Sequence, residues 1–325
     1  IPKLARILEL DQQTLMRRIT RSMHKEFLYL KRHLNPEQAR QVLDLKLPGI
    51  NVQREYRRYY PASEVTGHLV GFTDIDDQGQ EGLELAFNYW LAGESGAKRV
   101  LKDSLGRSVE NVASINPPRH GKDLRTSIDL RIQYLAYRSL KSAIRSHDAK
   151  SGSIVVLDVN TGEVLAMVNQ PSYNPNDRSQ LYPERYRNRA ITDIFEPGSS
   201  IKPLIVASAL ESGEYRPSSV VDTAPGYVVV GPKKIEDSKN LGRVSLTTIL
   251  ARSSNVGVTK LAMALQPDQL WGTMAQFGLG TLTASGFPGE SAGSLIPYNQ
   301  WRPINQATLA YGYGVSVTPL QLAQA

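Results

Sequence analysis

Three pairs in this chain place a serine three residues ahead of a lysine, the spacing at which a hydroxyl and an amine share one face of a helix: Ser22/Lys25, Ser95/Lys98 and Ser199/Lys202. A serine so placed becomes a nucleophile if the amine can take its proton. A free lysine of pKa ~10.4 is neutral in fewer than roughly one molecule in a thousand at pH 7, so the amine must be desolvated to act as a base. Spacing alone is weak evidence, since ordinary usage of the two residues yields about one or two such pairs in a chain of this length. Context separates them. Ser22 stands beside His24, Lys25 and Glu26, where an amine stays hydrated, and Ser95 follows Gly93-Glu94 in a surface turn. Ser199 is delivered by Glu196-Pro197-Gly198 into a run continued by Leu204, Ile205, Val206 and Ala207, with Pro203 near the first helical turn, where a lost N–H costs least. Free backbone N–H groups at such a helix start can also help hold an oxyanion. From the residues alone two readings stand: a nucleophile with its base, or a helix-capping serine beside a surface lysine.

What is missing narrows the chemistry. All five histidines (His24, His33, His68, His120 and His147) precede residue 150, and the chain has no cysteine. Residues 151–325 therefore cannot hold a Ser-His-Asp triad or a conventional metal site, and disulfides and thiol catalysis are excluded throughout. A nucleophile in that half needs lysine, carboxylate or tyrosine as its base. A second polar pair, Ser253 and Asn255, lies in Arg252-Ser253-Ser254-Asn255-Val256-Gly257. Ser172/Asn174 and Ser238/Asn240 share its spacing. The pair at 253 sits between two apolar helical runs, Leu246 to Ala251 and Val256 to Leu265, where polar groups need partners that another polar site would supply. An ordinary interhelical turn is the alternative.

Several elements must position these residues. Leu4, Ile7 and Leu8, then Leu15, Met16 and Ile19 beyond Asp11, have helical spacing. Residues 27–30 suggest a short strand. Asn35-Pro36-Glu37 opens a helix that Pro48-Gly49 ends. Residues 51–122 read as irregular and β-rich, with a helix over 83–91, and Pro117-Pro118 with Gly121 marks a boundary. Ile128, Ile132, Leu135, Leu140, Ala143 and Ile144 form an apolar stripe of helical period. Residues 154–157 and 164–168 flank Asn160-Thr161-Gly162-Glu163 and predict a buried β-hairpin. The run 201–210 predicts a buried helix, and Thr318-Pro319 caps the last one.

At 325 residues, two or three domains are expected, with 41% apolar content to fill their cores. The formal charge of +7 favours anionic surroundings, with basic runs at Arg17-Arg18, Lys31-Arg32-His33 and Arg57-Arg58. Neither aromatic interleaving nor zinc spacing accompanies them, so nucleic acid is not an expected partner. No run reaches the ~18 apolar residues a membrane span needs. The start at Ile1, without Met or a leader pattern, suggests a piece of a longer chain.

Taken together, Ser199-Ser200-Ile201-Lys202 within Glu196-Pro197-Gly198 and Pro203, followed by Ser253-Ser254-Asn255-Val256-Gly257, resemble the first two active-site motifs of penicillin-binding transpeptidases. The stretch from Asp158 to Met167 resembles the strand-turn-strand that opens their catalytic domain. Gly312-Tyr313-Gly314 with Val317-Thr318-Pro319-Leu320 resembles the segment closing its helical part. Arg58-Tyr59-Tyr60-Pro61 and Gln80-Glu81-Gly82-Leu83-Glu84 are similar to the non-catalytic module of class B members, the septal cell-division type above all. One motif departs. The family's Lys-Thr/Ser-Gly strand has no counterpart between Asn255 and Ala325, and Lys150-Ser151-Gly152 stands in the wrong order, at the start of the first strand.

The resemblance implies an α+β chain: an irregular pedestal and partner-docking module over 1–122, then a transpeptidase domain over 123–325, interrupted before its third motif. It implies a D,D-transpeptidase that cross-links peptidoglycan stem peptides during septal wall synthesis and is acylated by β-lactams. Ser199 would be the nucleophile and Lys202 its base. Ser253 would relay a proton to the leaving amine, and Asn255 would orient the substrate amide and bond Lys202. No cofactor or metal is implied. The relatives' pattern adds an upstream single-pass anchor in the bacterial inner membrane, a periplasmic catalytic domain, and docking to a lipid-II polymerase and other division proteins. A β-lactam sensor or β-lactamase relative, and an inert scaffold, are the alternatives; loss of the third motif leaves open whether this stretch is active by itself.

Overall fold

The computed structural model describes residues 1–102 and 108–325. Helices of six or more residues and all strands are numbered along the chain. By compactness the chain forms two units, Ile1–Tyr59 and Tyr60–Ala325.

The first unit holds α1 (Pro2–Leu8), α2 (Gln12–Arg21) and α3 (Pro36–Asp44). Local chemistry starts α2 and α3 where the sequence places them. Asp11 Oδ2 accepts from Thr14 N at 2.8 Å, and Asn35 Oδ1 accepts from Gln38 N at 2.7 Å with Pro36 behind it. Leu4, Leu8, Leu15 and Val42 fill the small core. Two expectations are corrected here. Helix α3 stops at Asp44, short of Pro48-Gly49. Residues 27–30 form no strand, because the Arg18 guanidinium donates to the carbonyls of Leu30 (3.2 Å) and Tyr29 (2.9 Å), taking the place of a ladder partner.

The second unit carries five two-stranded antiparallel sheets among the described residues. Strands β1 (Ala97–Lys102) and β2 (Ser108–Asn116) pair within the irregular stretch. The helix expected over 83–91 is two short turns, Gly82–Ala86 and Asn88–Leu91. Its break follows from Asn88, whose side chain is tied back to Gly79 N (2.9 Å) and Gln78 Oε1 (3.1 Å). Helix α4 (Leu130–Ser146) packs on the predicted hairpin, β3 (Gly152–Leu157) with β4 (Val164–Gln170), Ile154 facing Val168. Its buried face differs from the stripe read in sequence: Leu135 is 54% exposed, while Gln133 is buried. Gln133 earns that place by donating to Val65 O (2.8 Å) and Met167 O (2.9 Å) and accepting from Met167 N (2.9 Å).

The largest core lies in the helical part. Helix α5 (Lys202–Glu211) buries Leu204, Ile205, Val206 and Ala209, apolar nearly all round as its sequence requires. Around it stand β5 (Val220–Asp222), β6 (Tyr227–Val230), β7 (Lys233–Glu236) and β8 (Arg243–Ser245), then α6 (Leu246–Ala251), α7 (Asn255–Ala264) and α8 (Pro267–Gln276). Strand β5 pairs with β8, and β6 with β7. Finally come β9 (Ser294–Leu295), α9 (Pro303–Leu309), β10 (Val315–Ser316) and α10 (Pro319–Gln324). Thr318 Oγ1 caps α10 by accepting from Gln321 N at 3.1 Å. No helix among the described residues is long and apolar enough to cross a membrane.

Candidate active site

Helix α5 packs against α7, and this brings the start of one helix to the start of the other. Lys202 is the first residue of α5; the turn Ser253-Ser254-Asn255 leads into α7. Lys202 is 2% exposed, and its Nζ reaches three oxygens of that turn: Ser253 O at 2.6 Å, Asn255 Oδ1 at 2.7 Å and Ser253 Oγ at 2.9 Å. Ser253 holds a left-handed backbone, φ +53, unusual for a residue with a side chain and recurrent at functional turns. That conformation accompanies a turn whose carbonyl and hydroxyl both face the amine.

None of the three partners carries a formal charge. Burial pushes the Lys202 amine below the usual 10.5, and the Asp237 carboxylate nearby works against that shift. The oxygen set also suits a neutral amine. Two N–H bonds can go to the carbonyls of Ser253 and Asn255, while the nitrogen lone pair accepts from the Ser253 hydroxyl.

Ser199 occupies a 3-10 turn, Gly198–Ile201, that runs directly into α5. Gly198 has φ +56, and its N–H donates to Gly312 O at 3.2 Å. Gly312 is pressed so close that a Cβ there would lie 2.0 Å from Gly198 O. Gly314 N donates to Glu196 Oε1 at 2.9 Å, and Phe195 exchanges both backbone bonds with Val317. The Gly312-Tyr313-Gly314 segment thus braces the serine turn from behind. Ser199 is exposed and lines a cavity of about 350 Å³ together with Asn255, Lys233, Lys234, Glu236, Tyr311 and Tyr313. Among the described residues no hydrogen bond joins Ser199 Oγ to Lys202 Nζ. Asn255, which borders the cavity and bonds the amine, is the link between them.

All four residues singled out in the sequence are therefore brought to one place. The other two serine–lysine pairs are not part of it: Ser22 follows α2 in the first unit, and Ser95 is exposed in the irregular stretch before β1. Residues 152–325 match the family profile described as the penicillin binding protein transpeptidase domain. The chain belongs to the penicillin-binding protein transpeptidase family. Residues 1–126 match the profile of the penicillin-binding protein dimerisation domain. Over 321 residues the chain is 47% identical to the peptidoglycan D,D-transpeptidase FtsI of Escherichia coli K12, covering 99% of this chain and 54% of that protein. It thus spans about half the length of the curated relatives it matches. Among solved structures it is similar to the transpeptidase domain of Burkholderia pseudomallei penicillin-binding protein 3, at 42% identity and a TM-score of 0.55, over 61% of this chain and 55% of that one. It is similar too to a Burkholderia ambifaria protein described as a peptidoglycan glycosyltransferase, at 43% identity and a TM-score of 0.56, over 61% and 59%.

Sequence reasoning missed the opposite wall of the cavity. Lys233 and Lys234 come from the β6–β7 hairpin; Lys233 Nζ stands 5.9 Å from the Tyr311 ring centre, and Lys234 pairs with Glu236 while lying 4.4 Å from the Tyr227 ring centre. Tyr311 and Tyr313 meet edge to face at 5.5 Å. The one signal available was the Tyr-Gly-Tyr-Gly spacing at 311–314, where two glycines promise a close approach. Nothing local marks Asp237, which holds the Ser254 hydroxyl.

Proposed function

We propose that this chain carries the acyl-transfer machinery of a septal peptidoglycan D,D-transpeptidase, with Ser199 as nucleophile and Lys202 as general base. The observation that carries the proposal is the buried amine of Lys202, held by Ser253 and Asn255 beside the cavity that Ser199 lines. In the reaction Ser199 Oγ forms a bond to the penultimate D-Ala carbonyl carbon of a stem peptide while its proton passes to Lys202 Nζ. The tetrahedral intermediate collapses, the bond to the terminal D-Ala nitrogen breaks, and Ser253 passes its proton to that leaving amine while taking the one held by Lys202 Nζ. Asn255 orients the substrate amide. An amine of a neighbouring stem then attacks the acyl-enzyme ester, regenerating the Ser199 hydroxyl. A β-lactam amide would acylate the same oxygen. The lysines of the β6–β7 hairpin give the cavity rim a charge suited to the carboxylates of stem peptides and β-lactams.

The same reading assigns residues 1–122 to a pedestal and docking module and 123–325 to the transpeptidase domain. It places the whole protein in the bacterial inner membrane by a single-pass anchor, with this part in the periplasm and a lipid-II polymerase among its partners. The similarity to FtsI supports these assignments. Incubating the full natural chain with penicillin and mapping the adduct by mass spectrometry tests the reading. A lasting adduct on the Ser199 peptide is expected. Rapid release of the adduct would point to a β-lactamase-like protein, no adduct to a scaffold, and labelling of a Ser199→Ala variant would overturn the nucleophile.

A further inference from the structure

The turn that holds Lys202 is itself held. Asp237 follows β7 and is half-buried, and both its carboxylate oxygens are engaged across α7's first turn. Oδ2 accepts from Ser254 Oγ at 2.6 Å, and Oδ1 accepts from Val256 N at 3.0 Å. Ser254 is 1% exposed and is the N-cap of α7; its Oγ donates its hydrogen bond to Asp237 and accepts one from Gly257 N at 2.8 Å. Gly257 is needed at that spot, since a Cβ there would lie 2.7 Å from Ile249 Cγ1 and 3.0 Å from Ser254 Oγ. Asn255 Nδ2 donates to Glu236 O at 3.3 Å, a second tie to the same strand end. Asp237 is anchored in turn, its N–H donating to Gly226 O at 3.0 Å.

We propose that Asp237 is a positioning residue for acyl transfer: by gripping Ser254 Oγ and Val256 N–H it fixes the turn whose three oxygens hold Lys202 Nζ. The inference rests on the reading of Ser199 and Lys202 given above. A carboxylate at a helix N-terminus could serve stability alone, by capping and by the helix dipole. Its charge distinguishes the two roles. Asp237 favours the protonated form of Lys202 and so opposes what burial does to that amine. The other charged groups around the site are Lys233, Lys234 and Glu236 on β7, with the phenols of Tyr311 and Tyr313 before β10; Arg252, at the end of α6, is exposed. Among the described residues none of these is seen to bond the Ser253–Asn255 turn through its side chain, whereas Asp237 does. Asp237 thus fixes the amine's partners and holds back the loss of its proton.

The test is the rate of penicillin acylation of the full natural chain as a function of pH, for wild type, Asp237→Asn and Ser254→Ala. Asparagine keeps the shape but presents one donor where an acceptor is needed and removes the charge. Asp237→Asn should lower the plateau rate about 10- to 100-fold, the range set by losing a charged hydrogen bond, and move the acid limb of the profile to lower pH. Ser254→Ala keeps the charge and removes the strut, so its plateau should fall with the limb in place. An Asp237→Asn variant with the wild-type rate, or with a slowed rate and an unmoved limb, overturns the inference. Should that variant fail to fold, Asp237→Glu decides: the longer arm keeps the charge, so rate should fall with an unmoved limb, and a wild-type rate contradicts the proposal. A wild-type chain that forms no adduct at Ser199 overturns the functional reading instead.

Discussion

Two lysines on two helices of this chain meet opposite electrostatic fates. Lys202 opens α5, is buried, and bonds only to uncharged oxygens, so desolvation lowers its pKa. Lys141 projects from α4 and donates to Tyr137 Oη at 2.7 Å and Glu64 Oε2 at 3.0 Å, and these bonds raise its pKa. Tyr137 Oη bonds the same carboxylate oxygen, completing a three-membered cluster. Each amine has found oxygen partners, so counting hydrogen bonds does not separate them. What separates them is exposure together with the presence or absence of a formal negative charge among those partners. A lysine with a carboxylate is a fastener; a buried lysine without one has a proton it can lose.

The most forceful way to break the comparison is to make Lys202 permanently charged. Arginine keeps the length and the donors but cannot give up its proton at accessible pH. Lys202→Arg should slow acylation by fluorescent penicillin about 10²- to 10⁴-fold, the usual worth of a general base. A rate within threefold of wild type would place the base elsewhere.

His68 extends the comparison to a second buried base, here serving stability. Burial, against a bond from Nε2 to Arg185 O at 2.7 Å, pushes its pKa down from 6.5 to about 4. The unfolded chain therefore binds a proton that the folded chain refuses. Stability from this residue is complete above pH 6.5 and is lost as pH falls toward 4, by at most about 3 kcal/mol. Urea unfolding midpoints at pH 7.5 and 4.5 should differ accordingly, and much of that difference should vanish in His68→Gln. The smallest effect belongs to Lys141. Lys141→Met should leave penicillin acylation unchanged and cost less than about 1 kcal/mol in a thermal melt, because both side chains of the Glu64 pair are partly exposed, at 35% and 40%.

The residues legible in the sequence are those whose partners sit nearby in the chain or in one short turn. Ser199 and Lys202 are one helical turn apart, and Ser253 and Asn255 share a turn between apolar runs, so residue type and spacing expose them. The fold-back that joins the two pairs shows in the sequence as two nearly all-apolar helices, each needing a neighbour. Helix starts at Asn35-Pro36 and Thr318-Pro319 were legible because a cap is a local bond. By contrast Asp237 serves a serine 17 residues away, and Tyr311 and Tyr313 reach Ser199 from the far end of the chain; no local pattern encodes such meetings. The exposed Leu135 and buried Gln133 of α4 make the same point in the core, where Val65 and Met167 from distant segments decide which face of the helix turns inward.

The claim on which all of this depends is that Lys202 can hold a neutral amine while other lysines hold ammonium. Titrating the chain with lysine labelled at Cε and following Lys202 and Lys141 by carbon-detected NMR measures it directly, with Lys202→Arg and Lys141→Met assigning the signals. The account predicts that the Lys202 resonance shifts at a pH below 10.5 as the pH is raised, and the Lys141 resonance at a pH above it. Coincident titrations, or Lys141 losing its proton first, would contradict it.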